Sequence, residues 1–322
     1  MRQIAILVLA CAVLAFAPLA VSAQDYPTRT VTVIVPFPPG GSVDGVARII
    51  VDQLNQTVGA HFIVENRAGG ASGNVGANVV AKADPDGYTL LLTASLHVVN
   101  PFLYKNVPFD VVKDFTPVTL IAAGPLIVST TPSVPANNLK DFFDLVREDP
   151  QKYTFGTTSI GSASHLVIEL LKREAHVDTL VIAYKGTGPA LTDLMSGQIQ
   201  LLADPMLSSL PQVQGGRIKA LAITSLKRQA APDIPTVEES GLPGFEFVSW
   251  YGLWGPKDLP ADITAKLQTS VAKVLAQPDV KARLTALGFE AIGSTPDYFA
   301  KYIASEMAKY GQIIHDANIK SE

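Results

Sequence analysis

Cysteine is almost missing from this chain: Cys11 is the only one in 322 residues. A disulfide framework is therefore excluded, whatever the redox compartment. A basic surplus is missing as well. Lysine and arginine number 25 against 29 acidic residues, for a formal net charge of −4, where a nucleic-acid binder would carry a positive excess. No run of five or more like charges occurs, so no charged interaction tail is present. Glycine and proline stand at 24 and 23, ordinary usage that excludes collagen-like and low-complexity chains. The five histidines (His61, His97, His165, His176, His315) include no His-x-x-x-His pair for a metal. A Gly-x-Ser-x-Gly elbow, a P-loop and a Gly-x-Gly-x-x-Gly after a strand are all absent, leaving no candidate for the usual hydrolase nucleophile, nucleotide site or dinucleotide site. Nothing in the sequence calls for a cofactor or a metal.

What is present begins with a leader. Arg2 precedes an uncharged apolar stretch from Ile4 to Ala17 that Pro18 ends, and Val21-Ser22-Ala23 then offers small residues before the polar Gln24-Asp25. A positive start, an apolar middle too short for a permanent span and an A-x-A-like site predict a signal peptide over 1–23, cleaved after Ala23, and a periplasmic protein. Cys11 leaves with the leader. No later stretch reaches 18 uninterrupted apolar residues. At about 150 residues per domain, the length suggests two domains.

Short apolar runs alternate with helical periodicity, the pattern of βα units on a parallel sheet. Val31–Val35, His61–Val64, Thr89–Leu92, Leu126–Ser129, Tyr153–Phe155, Thr179–Ala183, Ile199–Ala203 and Lys219–Thr224 read as strands. Helices are predicted with Val46, Ile49, Ile50 and Leu54 on one face, with Val75 and Val79, with Leu139, Phe142, Phe143 and Val146, and with Leu166, Leu170 and Leu171. Near the C-terminus, Ile263, Leu267, Val271, Val274 and Leu275 form one stripe. Thr295-Pro296-Asp297 then supplies an N-cap, an N1 proline and a first-turn acid. Two segments read as crossings between domains, Pro117–Pro125 and the aromatic-rich Phe247–Pro256. They divide the chain into a discontinuous domain, 25–124 plus 249–322, and an inserted one, 125–248.

Ligands of open α/β sheets sit at the C-terminal ends of the strands, beside helix starts. Three strand-to-helix loops suit an anion there. In Pro36–Ser42, proline stiffness gives way to Gly40 and Gly41, whose N–H groups no side chain obstructs, and to the Ser42 hydroxyl. Seven of the ten residues of Gly156–His165 are glycine, serine or threonine, and Tyr184–Pro189 is of similar character. The plainer reading of each is a tight turn that caps a helix. Two such loops, one per domain, could grip a single anion across a cleft. His97 lies just past a strand end and either touches a ligand or caps its loop. His165 reads first as a helix-start hydrogen bonder, and Lys185 as a carboxylate partner or a solvated lysine. Asp204, before Pro205, either accepts hydrogen bonds from a ligand or starts a turn. Trp250, Tyr251 and Trp254 read first as core packing, with lining of the cleft as the alternative.

Taken in order, Val35-Pro36-Phe37-Pro38-Pro39-Gly40-Gly41-Ser42-Val43-Asp44, Val64-Glu65-Asn66-Arg67 and Asp84-Pro85-Asp86-Gly87-Tyr88 form a recognisable series. So do Asn100-Pro101, Lys113-Asp114-Phe115, Gly161-Ser162-Ala163-Ser164-His165, Tyr184-Lys185-Gly186-Thr187-Gly188-Pro189 and Gly241-Leu242-Pro243-Gly244. Over essentially the whole chain past the leader, this series resembles the Bug-type extracytoplasmic solute receptors of tripartite tricarboxylate transporters. The resemblance implies a type II periplasmic-binding-protein fold: two α/β domains joined by two crossover segments, with the ligand cleft between them. It implies a small carboxylate ligand, mono-, di- or tricarboxylate, and an inner-membrane transporter as partner. It further implies a monomer with no nucleic-acid partner and no enzymatic activity. By that resemblance the ligand-binding set is Phe37, Pro39, Gly40, Gly41 and Ser42 from the first loop, and Thr157, Thr158, Ser162, Ser164 and His165 from the second. Asp204 joins them near the ligand or its waters, and Ser95 and His97 lie in a variable loop that reads the ligand's far end. Two other readings stay open on the residues alone: a sensor for a signalling partner, and an exported serine hydrolase using Ser164 or His165.

Overall fold

The computed structural model describes residues 26–70, 73–228, 231–317 and 319. The expected leader, 1–23, lies outside the described residues. In chain order the elements are β1 (Val31–Val35), α1 (Ser42–Thr57), β2 (Phe62–Asn66), α2 (Asn74–Ala81), β3 (Thr89–Ala94), α3 (Leu96–Leu103), β4 (Phe115–Thr130), α4 (Leu139–Glu148), β5 (Thr154–Thr157) and α5 (Ala163–Glu174). They continue with β6 (Leu180–Ala183), α6 (Thr187–Ser196), β7 (Leu201–Pro205), α7 (Met206–Gln214), β8 (Lys219–Ile223), β9 (Val248–Pro256), α8 (Ala261–Ala276), α9 (Pro278–Ala286), β10 (Glu290–Ala291) and α10 (Pro296–Asp316).

The strands follow one path, β2-β1-β3-β9-β4-β7-β5-β6, with β8 and β10 also paired to β4. β1, β2 and β3 run parallel, as do β5, β6 and β7, as βα units require. β4 and β9 run antiparallel to their neighbours in the middle. The sequence reads a strand at Leu126–Ser129 and a separate crossing at Pro117–Pro125; the structure makes them one sixteen-residue strand. Prolines cannot donate to a ladder, and the register of β4 shifts between Pro117 and Thr119. β4 pairs with β9 as far as Pro125 and with β7 and β8 from Leu126 onward. Buried Thr224 sits at that change of partner: Leu126 N–H donates to its Oγ1 at 2.9 Å, and its hydroxyl donates to Phe247 O at 2.6 Å.

The expected apolar stripes pack as alternation and helical spacing require. Val31, Val33 and Val35 face α1 and α8 in one core, while Ile34 and Leu91 face the other side of the sheet. That second core runs without a break into the β5–α5 region and includes Phe142, Phe155, Trp250, Phe299 and Tyr310. A fully buried aromatic side chain of this kind contributes about 2–3 kcal/mol. Thr295 caps α10 as expected, its Oγ1 accepting from Tyr298 N–H at 3.3 Å. α2 differs from expectation. Val75 is half exposed and the helix buries Asn74, Gly76, Ala77 and Val80 instead. The reason is Gly76, where a Cβ would fall 2.7 Å from Arg67 O and 2.8 Å from Pro36 Cβ. The helix rests on its glycine, so Val75 turns outward while Val80 stays in the core. Among the described residues, no helix is long and apolar enough to cross a membrane.

Candidate functional site

Five helices begin on one cleft. Its lining includes Gly41 and Ser42 at the start of α1, Ser95 and Leu96 at α3, Ser162 and Ala163 at α5, Gly186 and Thr187 at α6, and Pro205 before α7. Each helix start presents unpartnered N–H groups and a partial positive charge. Of the five, only α5 has a side-chain cap: Ser162 Oγ accepts from His165 N–H at 3.2 Å. The cavity is small, about 100 Å³, and hydroxyl-rich, with Ser42, Ser95, Thr158, Ser159, Ser162, Ser164, Thr187, Ser249 and Tyr251 around it. Lys185 is the only formally charged residue of its lining.

The first loop leaves β1 and is held from behind. Asp44, buried in the first turn of α1, accepts from Gly40 N–H at 3.0 Å, from Arg48 Nε at 2.9 Å and from Asn66 Nδ2 at 3.0 Å. Asn66 Nδ2 also donates to Phe37 O at 3.0 Å. Burial works against the Asp44 charge, but the bonds from Arg48, Gly40 and Asn66, with the Arg48 charge, outweigh it and hold the carboxyl below its ordinary value. Gly40 adopts φ +86°, the left-handed region that favours glycine. Its N–H, expected to be free for a ligand, is spent on Asp44. Gly41 and Ser42 line the cleft; Gly40 does not.

A network of neutral groups shapes the second loop. Ser162 Oγ donates to Ser159 O at 2.7 Å and accepts from Thr158 Oγ1 at 3.1 Å. Thr158 N–H donates to Ser164 Oγ at 3.2 Å. Thr157, wholly buried, donates to Ser159 O at 3.2 Å and braces the loop from inside, outside the lining. Gly161 N–H donates to His165 Nδ1 at 3.1 Å, so the imidazole serves its own loop and is also outside the lining. Burial, and secondarily Lys172, pull His165 down to about 4, so it is neutral at physiological pH. Ser164 and His165, either of which the hydrolase reading would use, thus bond to different backbone groups.

His97 corrects its expected place. It lies inside α3, not in a loop, and its ring packs against Phe109, Phe115 and Trp254 with centroids 5.6, 4.7 and 5.2 Å away. Burial lowers its pKa to about 3. The helix turns it away from the cleft that Ser95 and Leu96 line. Asp204 is wholly buried at the end of β7, behind the lining. Thr187 Oγ1 donates to it at 2.9 Å and Ser209 Oγ at 3.0 Å, and burial raises its pKa to about 7 against those two bonds.

Phe37, Pro39, Gly41, Ser42, Ser95, Thr158, Ser162 and Ser164 are therefore brought together on the cleft, and Gly40, Thr157, His97, His165 and Asp204 stand behind it or elsewhere. Sequence reasoning missed Ser249. Tyr251 is buried against Phe289, in keeping with its first reading as core, but it also lines the cleft, because β9 alternates: Trp250 and Trp254 face Phe299, whereas Ser249 and Tyr251 face the cleft. The period-2 signal was there to find them. The two sides of the cleft touch in this structure, since the Ser42 and Ser208 hydroxyls share a hydrogen bond of 2.5 Å. Gly45 admits Leu207 where a Cβ would meet it at 2.8 Å.

A doubly wound α/β molecule with helix starts converging on a central cleft has the fold of the periplasmic binding proteins, which are receptors and not enzymes. Solved structures agree. R. palustris Rpa4515, solved with adipate, is 35% identical with a TM-score of 0.89, covering 92% of this chain and 99% of that one. The periplasmic binding protein BugD is 35% identical at a TM-score of 0.87, covering 92% of this chain and 100% of its own. MatC from Rhodopseudomonas palustris, with bound malate, is 35% identical at 0.84, over 90% and 100%. Residues 46–319 match the tripartite tricarboxylate transporter family receptor model. The chain belongs to that family, and the resemblance in its motifs is a true one.

Proposed function

We propose that this receptor captures a small carboxylate in the cleft and hands it to the inner-membrane subunits of a tripartite transporter. The observation that carries the reading is the convergence of five helix starts on a cavity lined by hydroxyls and holding no acidic side chain. Backbone dipoles and hydroxyl donors suit a carboxylate without an arginine fork. The relatives solved with adipate and malate make carboxylates the first chemistry to try. The ligand meets Gly41, Ser42, Ser95, Thr158, Ser162 and Ser164 directly, while Thr157, His165 and Asp204 shape the loops that present them. The body of 25–124 plus 249–322 and the body of 125–248 close on it about β4 and β9, and closure alters the surface shown to the transporter. The protein works as a periplasmic monomer after cleavage at Ala23.

Thermal unfolding in the presence of a panel of carboxylates, each beside its own amide, tests the reading. A ligand bound only by the folded state stabilises by about 2.7 kcal/mol at 100 times its dissociation constant. The expected result is a rise in midpoint with an acid and none with its amide. Equal rises with acid and amide, or none across the panel after unfolding and refolding to strip a carried ligand, would refute it.

A further inference from the structure

The first turn of α7 touches the other body of the molecule at three successive residues. The helix starts at the hinge: β7, which leads into it, ends with Pro205 beside Leu126, where β4 changes partners. Met206 and Leu210 turn inward and pack with Ile127, Ile223 and Ile234 in the core of the 125–248 body. Leu207 packs instead against the core that β1, β3, α1 and α8 build in the other body. Its seat there is Gly45 on α1, where a Cβ would stand 2.8 Å from Leu207 Cδ2. Ser208 shares its hydrogen bond of 2.5 Å with Ser42, three residues before Gly45 on the same helix. Met206 completes the contact, since a Cβ on Gly288, in the turn between α9 and β10, would overlap its sulfur. Of these residues only Ser42 lines the cleft.

Gly45 is the informative residue. It lies inside a sixteen-residue helix, and its φ, unlike those of Gly40 and Gly288, is not positive. The backbone therefore does not call for glycine, which weakens a helix interior relative to alanine. Space calls for it, and the space is filled by Leu207 from the opposite body. We infer that the first turn of α7 is a clasp, with Gly45 as its seat, that holds the two bodies together through contacts of the protein alone. It thereby sets how much of the receptor is closed before a ligand enters. This rests on the two-body closure proposed above and not on the chemistry of the ligand. A ligand closing the molecule must bring these same surfaces together, so whatever the clasp contributes the ligand need not supply. Affinity then depends on residues outside the cleft lining, because an apparent dissociation constant rises as the binding-competent fraction falls.

Pulsed electron resonance between nitroxides at Gln56→Cys and Ser196→Cys, exposed positions on α1 and α6, tests the clasp. No cysteine follows Cys11 in the chain, so the two labels are the only ones. The purified parent without added ligand is expected to give one short distance. Gly45→Leu, which fills the seat, should add a longer distance held by about nine-tenths of the molecules and raise the apparent dissociation constant for adipate about tenfold. Leu207→Ala, which empties the seat, should act in the same direction and less strongly. Gly45→Leu combined with Leu207→Ala should return the short distance, because the lost bulk is restored from the opposite side. A double variant as open as Gly45→Leu overturns the clasp. So does a Gly45→Leu protein that unfolds earlier in denaturant yet keeps the short distance, which would make the seat ordinary packing. A parent that already shows mainly the long distance overturns it too, while leaving the two bodies mobile. One fixed distance in every variant overturns both the clasp and two-body closure. Failure of adipate to bind bears on the carboxylate reading alone, since the distances decide the clasp without it.

Discussion

The two loops that flank the cleft do the same work with opposite chemistry. Pro36–Gly41 is braced by a buried anion, Asp44, whose charge Arg48 balances and whose oxygens take up the Gly40 amide and Asn66. Gly156–Ser164 is braced by uncharged groups: the hydroxyls of Thr157, Thr158, Ser162 and Ser164, bonded mostly to the loop's own backbone, and a histidine kept neutral by burial. An acid directly behind an anion site would repel its guest if left unpaired. Spending that charge on Arg48 and turning it away from the cleft allows a strong brace with little field toward the ligand. The neutral loop needs no such shielding, but each of its bonds is worth less. Charge thus provides the firm half of the site and hydroxyls the adaptable half.

The difference can be broken first at Asp44. Asp44→Ala should lower stability by roughly 2–3 kcal/mol, because it strands the Gly40 amide and Asn66 and leaves Arg48 without its partner; half-exposed Arg48 keeps part of its hydration, which limits the cost. Denaturant midpoints would read the loss, and carboxylate affinity should fall with it. A variant as stable and as tightly binding as the parent would show that the charged brace is idle. Next in size are the hydroxyls. Ser42→Ala and Ser162→Ala should each weaken carboxylate binding by about 1–3 kcal/mol. Ser162→Ala should in addition lose about 2 kcal/mol of stability, with its helix cap and its bonds to Ser159 and Thr158, whereas Ser42→Ala, which loses one hydroxyl bond to Ser208, should lose only about 1 kcal/mol. Equal stability effects at the two serines would erase the distinction drawn between the loops.

The last expected effect is a slope with pH. Asp204 titrates at 3.8 when unfolded and at about 7 in the folded protein. Between those values the unfolded chain has given up a proton that the folded one keeps, so stability falls as pH rises, by at most about 1.4 kcal/mol per unit for one group. Asp44 has the opposite sign. Its folded value is depressed, so its contribution is whole above the ordinary carboxylate range and is lost as the solution becomes more acidic. Asp204→Asn, which preserves shape and can bond Thr187 and Ser209, should flatten the slope between about pH 4 and 7. Stability curves of parent and variant that run parallel there would place the proton elsewhere.

Much of the architecture was legible along the chain. Alternating βα units, the stripe from Ile263 to Leu275 and the cap at Thr295 follow from local periodicity and local hydrogen bonding, which need no distant partner. The loops that face the cleft were legible as well, because glycine, serine and threonine beside helix starts carry their chemistry wherever the chain takes them. Less legible was direction. His97 and Ser95 stand two residues apart, yet one packs against Trp254 and the other lines the cleft, since a helix starts between them.

By itself the sequence determined the kind of molecule: its strands and helices, the hydroxyl-rich loops, the absence of a nucleophile elbow and the family it belongs to. Each of these resides in residue types and their spacing over a turn or a strand. Only the tertiary structure decided which groups meet. Asp44 takes the Gly40 amide from any ligand, Tyr251 comes into the cleft from a strand 156 residues beyond Ser95, and Leu207 meets Gly45 from a helix of the other body. Those outcomes depend on contacts between segments far apart in the chain, and such contacts exist only once packing has brought the segments together.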